Sequence, residues 1–341
     1  MDRPDRRGGR TRDANQLLVD AVAALRAGEL VAFPTETVYG LGADAANAEA
    51  VRRLYAVKGR PAGHPVIVHI ARAGQLDTIA RDVPDDAHVL ATAFWPGPLT
   101  LIVARNPEQV VPEVTGGRDT VGIRVPDHPV ALELLERFGG GVAAPSANRF
   151  GRVSPTTSEH VRADLGTDVG IVLDGGPSRV GVESTIVDVT GVTPAILRLG
   201  GVDQARIESV LGRGCELRTA GEQGAPGTLA SHYAPNAKVE IVDPAGLAAR
   251  ARARVALGER VGLLAMKPSD AGMPADVPDG VVVLAAPHDV AEYARVLYAR
   301  LREADERSLD ALLVVLPGDA GNRDTGGLEA AIADRVCRAS H

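Results

Sequence analysis

One stretch of this chain belongs to neither of the regular secondary structures, and everything else is arranged around it. From Ala220 to Pro235 the sequence reads Ala-Gly-Glu-Gln-Gly-Ala-Pro-Gly-Thr-Leu-Ala-Ser-His-Tyr-Ala-Pro. Glycine and proline interrupt helices and strands alike, and no apolar period of 3.6 or 2 residues survives the run. It marks a boundary, so the segments on either side must each close a core. At 341 residues the chain is long enough for two. The expected parts are a disordered basic tail over 1–14, a first domain over 15–218, a linker over 219–236 and a small α/β domain over 237–341.

Apolar spacing fills in both halves. Leu17, Leu18, Ala21, Val22 and Leu25 predict a helix over Gln16–Ala27. Asn47 can cap a second helix that carries Val51, Leu54 and Tyr55 and ends at Gly59-Arg60-Pro61. Further helices are expected at Pro129–Phe138 and Ser158–Leu165. Strands are expected at Leu30–Phe33, Val66–Ile70, Leu99–Ala104, Val121–Val125, Gly141–Ala144, Ile171–Leu173, Ile186–Val189 and Ile196–Leu199. Helices interrupt these strands irregularly, which favours a mixed, strongly twisted sheet with packed helices over repeated parallel units. Beyond the boundary, strands at Val239–Val242, Val261–Ala265, Val281–Leu284 and Leu309–Leu316 broadly alternate with helices at Gly246–Ala256, Val290–Arg302 and Gly327–Ala339. That alternation reads as a small open α/β sheet.

Composition narrows the function. With 45% hydrophobic but only 3% aromatic residues the cores must be aliphatic, and a net charge of −7 argues against a broad sequence-independent grip on nucleic acid. Direct nucleic-acid binding is accordingly expected to be weak or absent. Cys215 and Cys337 lack the spacing of a metal site or disulfide framework, the N-terminus lacks the apolar core of a signal peptide, and no apolar run approaches a membrane span. The expectation is a cytoplasmic protein with no membrane partner.

The chemistry concentrates in short polar runs after apolar strands. Pro34-Thr35-Glu36-Thr37-Val38-Tyr39-Gly40-Leu41-Gly42 and Ala143-Ala144-Pro145-Ser146-Ala147-Asn148 are two of these, bridged by Lys58-Gly59-Arg60-Pro61. Such turns are where an α/β protein displays functional groups. Lys58 and Arg60 at a helix exit either satisfy terminal carbonyls or, with the turn leading through His64 to the next strand, bind a phosphate chain. His69 in its apolar strand is either a hydrogen-bonded core residue or a ligand contact. In Val121–Val125, Gly122 and Arg124 share one face, so a guanidinium stands beside a residue with no side chain. If buried, it must pair with an internal carboxylate or with a substrate carboxylate. Arg198 is a similar case. Ser146 and Asn148 either close their own turn or hydrogen-bond a ligand. Glu183-Ser184-Thr185 is either a polar turn or part of the site. No Gly-x-Ser-x-Gly elbow, Walker A sequence or Gly-x-Gly-x-x-Gly fingerprint follows the strands, so a nucleotide site must be built another way. Asp44 and Glu36 lie near the proposed site, and no acidic cluster has metal-ligand spacing.

In this order, these runs resemble the threonylcarbamoyl-AMP synthases in their long form, over nearly all of residues 16–341. The motifs are Pro34–Gly42, Lys58–Pro61, His64–Ile70, Trp95–Thr100, Val121–Pro126, Pro145–Asn148, Glu183–Asp188 and the linker Ser231–Pro235. The resemblance implies a YrdC-like catalytic domain with a twisted mixed sheet, followed by a smaller Rossmann-like open α/β domain. It implies a nucleotidyltransferase that converts L-threonine, bicarbonate and ATP, with Mg2+ on the ATP phosphates and no protein-held metal, into threonylcarbamoyladenylate and pyrophosphate. A downstream tRNA threonylcarbamoyl transferase would consume the product. The family's threonine contacts fall on Thr37, His69, Arg124, the backbone at Ala144, and Ser184. Its ATP contacts fall on Arg60, His64, Thr120, Ser146, Ser154, Arg198 and Tyr233, the last read as part of a flap over the nucleotide. Lys58, Arg60, Ser146 and Asn148 form its recurring polar quartet, and His64 stands where many relatives have Asn. Two other readings compete. One is a carbamoyl-adenylate-forming domain using carbamoyl phosphate, although the expected zinc-finger-like cysteines are missing. The other is an RNA-binding module without chemistry.

Overall fold

The computed structural model describes residues 14–218, 233–267, 277–318 and 327–340. The first helix begins at Ala14, a residue assigned to the expected tail; residues 1–13 and most of the expected linker, 219–232, lie outside the described residues.

In the first domain the strands form one mixed sheet. Its order runs Glu216–Leu217, Ala195–Arg198, Thr185–Asp188, Leu99–Arg105, Thr120–Arg124, Val68–His69, Val142–Ala143, Gly40–Asp44, Val31–Phe33 and Ile171–Val172, with Ala80–Arg81 added beside Leu99–Arg105. Helices Pro129–Phe138 and Ser158–Leu165 stand where the apolar period places them. Asn47 caps the helix Ala48–Lys58 by accepting from the amides of Glu49 and Ala50, which aims the helix end and Lys58 at the sheet. Helices at Asp85–Phe94 and Gln204–Leu211 are additions to the sequence reading.

The strand Gly40–Asp44 also differs from expectation, since Pro34–Gly42 reads as a turn. Glycine is depleted in strands, yet here it lets the strand lie close to its neighbours: a Cβ on Gly42 would sit 2.9 Å from a Val142 methyl and 3.0 Å from the Phe33 ring. The pairing Ala43 to Ala143 carries the ladder from one polar run to the other, and an isolated bridge joins Gly40 to Ser146.

The second domain is a four-stranded parallel sheet in the order Lys238–Ile241, Ala311–Val314, Val261–Leu264 and Val281–Val283, with helices Pro244–Ala256, Val290–Glu306 and Leu328–Ala339. One of its apolar faces is not closed by its own residues alone. Val38, Val153, Val182 and Tyr233 join Tyr293, Leu297, Tyr298 and Leu301 in a single buried cluster. The two domains therefore share a core, and that core lies directly behind the polar runs.

Candidate active site

Three adjacent strands bring the expected residues together. Val68–His69 runs parallel to Thr120–Arg124 with His69 opposite Arg124, and antiparallel to Val142–Ala143 on its other side. A histidine, an arginine and the exit toward Ser146 thereby meet at the middle of the sheet. Among the described residues one cavity there is lined by Thr37, Arg60, His69, Arg124, Ala144, Ser146, Ser184, Arg198 and Tyr233, all expected from the sequence. Thr35, Val38, Gly40, Ile67, Pro145 and Glu183 complete the lining.

Arg124 is buried and has an internal partner. Its Nη2 lies 2.6 Å from Glu36 Oε1, its Nη1 donates to Thr37 Oγ1 at 2.9 Å, and its Nε donates to the Gly97 carbonyl at 3.2 Å. The contact with Glu36 is close but misaligned: neither carboxylate oxygen accepts a well-directed hydrogen bond, and Nη2 donates none. Charge is compensated while donor capacity remains at Nη2, so a substrate carboxylate can share the guanidinium. The turn that presents Glu36 and Thr37 is closed by Thr35, whose hydroxyl donates to the Val38 carbonyl at 2.6 Å and accepts from the Val38 amide at 3.2 Å.

Burial, reinforced by the neighbouring Arg124 charge, pushes His69 down to about 3. The imidazole is therefore neutral at pH 7, its ring edge-on to Phe33 at 5.9 Å and its Nδ1 without a hydrogen-bond partner. A neutral ring can accept from an amine or a hydroxyl where an imidazolium cannot. Ser184 faces the same cavity. Its hydroxyl is 2.8 Å from Thr100 Oγ1 and accepts from Arg198 Nη2 at 2.9 Å, while Arg198 Nε donates to its carbonyl at 3.0 Å. The Ala144 amide donates to the Ile67 carbonyl at 2.8 Å, so any ligand contact from that backbone runs through its own carbonyl.

The polar quartet divides. Arg60 and Ser146 line the cavity; Lys58 and Asn148 stand behind it. Lys58 Nζ donates to the carbonyls of Ser146 and Asn148, each at 2.5 Å. Burial and the adjacent Arg60 hold its pKa well below the ordinary lysine value. Asn148 Nδ2 donates to the carbonyls of Arg149 and Arg152 at 2.8 Å each. These two residues shape the loop that presents Ser146. Arg60 donates to the Pro65 carbonyl at 2.9 Å and stacks over Phe150, which His64 meets edge-on at 5.8 Å outside the lining. Ser154 is fully buried and donates to Glu183 Oε1 at 2.8 Å. Thr120 occupies the far end of its strand from Arg124 and is not part of the lining.

Tyr233, with φ of 67°, is 1% exposed, and burial followed by the nearby Glu183 charge pushes its phenol up to about 12. Glu183, which the sequence reads either as part of a polar turn or as part of the site, lines the cavity. Burial opposes its charge, but Arg335 and then Arg198 hold it down at about 2. The signal for it was present in the Glu-Ser-Thr run; its partner from the other domain was not.

A neutral imidazole, a compensated guanidinium with spare donor capacity, and a second arginine beside a polar loop thus line one cavity of an α/β fold. Comparisons with known proteins agree. A family model described as "Telomere recombination" matches residues 23–200, and one described as "Threonylcarbamoyl-AMP synthase, C-terminal domain" matches residues 202–341. The threonylcarbamoyl-AMP synthase of Pyrococcus abyssi is 40% identical over 335 residues, covering 94% of this chain and 93% of the relative. That of Bacillus subtilis is 40% identical over 310 residues, covering 89% of each chain. A crystal structure of P. abyssi Sua5 complexed with L-threonine superposes with a TM-score of 0.85 at 38% identity, covering 96% of this chain and 95% of that one. The chain belongs to the threonylcarbamoyl-AMP synthase family, nucleotidyltransferases whose product supplies the modification of adenosine in tRNA. Among the described residues no helix is long and apolar enough to cross a membrane.

Proposed function

We propose that L-threonine occupies the His69–Arg124 half of the cavity and that ATP, taken up as its magnesium complex, occupies the half bounded by Arg60, Ser146, Arg198 and Tyr233. The observation that carries this reading is the parallel pairing of His69 with Arg124, which sets a neutral acceptor beside a cation on adjacent strands of one cavity. Arg124 and the Ser184 hydroxyl hold the carboxylate. Thr37, His69 and the Ala144 carbonyl take the amine and side-chain hydroxyl.

The amine must be neutral to react. Its nitrogen forms a bond to the carbon of bicarbonate, with loss of water, or to that of carbon dioxide, with loss of a proton, and either route leaves the carbamate. A carbamate oxygen then attacks the α-phosphate, the bond to the bridging oxygen breaks, and pyrophosphate leaves. Arg60 and Arg198 offset charge on the phosphates, with the magnesium that accompanies ATP. Lys58 and Asn148 act in this reading by fixing the loop of Ser146, since both side chains are committed to carbonyls. Tyr233 covers the nucleotide and keeps water from a hydrolysable adenylate. His64, Thr120 and Ser154 lie outside the lining and reach the nucleotide by an inward shift of the His64 and Ser154 loops and of the strand end at Thr120 when ATP binds. Residues 15–218 are the catalytic domain, the product passes to a downstream tRNA threonylcarbamoyl transferase, and two cysteines kept as thiols suit the cytoplasm.

Pyrophosphate release from ATP and magnesium tests the assignment, with threonine and bicarbonate omitted in turn, serine in place of threonine, and carbamoyl phosphate in place of both. Release that requires threonine and bicarbonate together is expected. Release with carbamoyl phosphate alone, or indifference to threonine, would overturn it.

A further inference from the structure

Among the described residues the second domain contributes no side chain to the lining of the cavity, yet it grips one of the residues that does. Glu183 is buried, and its Oε2 accepts from Tyr298 Oη at 2.8 Å and from Arg335 Nε at 2.9 Å. Both donors belong to the second domain, on the helices Val290–Glu306 and Leu328–Ala339. Arg335 has no exposed surface and also donates to the Leu199 carbonyl at 2.8 Å, one residue beyond Arg198. Its guanidinium lies over the Tyr233 ring at 5.8 Å, and that ring stacks on Tyr298 at 5.4 Å.

The backbone around Glu183 is held just as closely. Gly181 has φ of +79°, and a Cβ there would lie 2.4 Å from Arg295 Cα and 2.5 Å from the Ala294 carbonyl. The helix Val290–Glu306 therefore rests directly on this backbone, where no side chain fits. On the other side a Cβ at Gly200 would lie 2.3 Å from the Glu183 carbonyl. The segment is pressed between the second domain and the strand end that carries Arg198. Its next residue is Ser184, and Glu183 Oε1 takes the Ser154 hydroxyl.

We propose that Tyr298 and Arg335 are positioning residues of the catalytic site: acting through Glu183, they set the place of the Ser184 hydroxyl, so that the second domain tunes threonine affinity without touching threonine. The physical reason is that a buried carboxylate must keep its donors. Glu183 cannot turn toward the cavity or away from it without breaking a charged pair, and Ser184 is bonded to it through a single peptide. This inference rests on the placement of threonine at Ser184.

Two variants of the full-length chain separate positioning from mere stability. Tyr298→Phe removes the donor to Glu183 and keeps the ring stack. Tyr293→Phe makes the same chemical change on the same helix, removing a buried bond of 3.1 Å to the Val315 carbonyl instead of one to Glu183. Threonine-dependent pyrophosphate release and thermal melting are measured for both. The expected result is a rise of about threefold to tenfold in the KM for threonine for Tyr298→Phe, with kcat within about twofold of the parent and no KM change for Tyr293→Phe, at comparable losses of melting temperature. Adding Glu183→Gln to Tyr298→Phe should produce less than the product of the separate effects, because both act on one contact. Equal threonine KM for the two tyrosine variants would overturn the proposal. The parent's own dependence on threonine tests the reaction assignment independently.

Discussion

Replacing Glu36 by Gln would ask Arg124 to remain buried without its counter-charge. The two groups are 4% and 2% exposed and their charged atoms approach to 2.6 Å. At an effective dielectric of about 20 and charge centres about 4 Å apart the attraction is about 4 kcal/mol, and breaking a buried pair by removing one partner costs about 3–5 kcal/mol. The amide keeps the shape and turns a partial negative charge toward the guanidinium, which puts the expected loss near the lower end, about 3 kcal/mol. For a domain of this size that is a fall of about 6–12 °C in Tm. Threonine should then recover more stability in the variant than in the parent. Thr37 and the Gly97 carbonyl still orient the guanidinium, while the substrate carboxylate becomes the counter-charge and loses a like-charged neighbour. Saturation at about a hundredfold above Kd is worth about 2.7 kcal/mol, so a lower Kd enlarges the threonine-induced Tm shift at fixed concentration. Thermal melts with and without L-threonine read both effects. A Tm within about 2 °C of the parent, or an equal threonine shift, would refute the pairing as the source of Arg124's stability.

Three further outcomes follow from the same geometry. His69 is held at about 3 against an ordinary 6.5, so the unfolded chain binds its proton first; stability should fall as pH drops below 6.5, by up to about 1.4 kcal/mol per pH unit from this group. His160, held near 4, adds to that slope, and the readout is the difference between parent and His69→Gln in melts from pH 7 to 4.5; parallel curves would contradict the buried neutral imidazole. Gly181→Ala, at φ of +79° and against helix backbone on every near contact, should cost about 2–4 kcal/mol; a denaturation midpoint matching the parent's would show that the domains do not press together there. Tyr233→Ala should raise the KM for ATP or the rate of adenylate hydrolysis, and no change in either quantity removes Tyr233 as a cover.

Much of this was legible along the chain because its causes are local. The helices Pro129–Phe138 and Ser158–Leu165 show in the spacing of a few residues, and so does the face that Arg124 shares with Gly122. The strand Gly40–Asp44 was not legible, because its glycines matter only for how closely Phe33 and Val142 approach. The site divides in the same way. Residue types and motif order identify the polar runs and the family. Which of their side chains face a ligand depends on partners that local sequence does not reveal.

Sequence alone determined that Arg124, once buried, needs a carboxylate, that Lys58 and Arg60 stand at a helix exit, and that a Gly/Pro-rich run interrupts the regular pattern of helices and strands. Tertiary structure alone decided that the carboxylate is Glu36, that Lys58 spends its charge on carbonyls 88 and 90 residues away, and that Glu183 is held by an arginine 152 residues further on. A buried polar group announces its need through its residue type, but strand order and domain packing choose the atom that meets it.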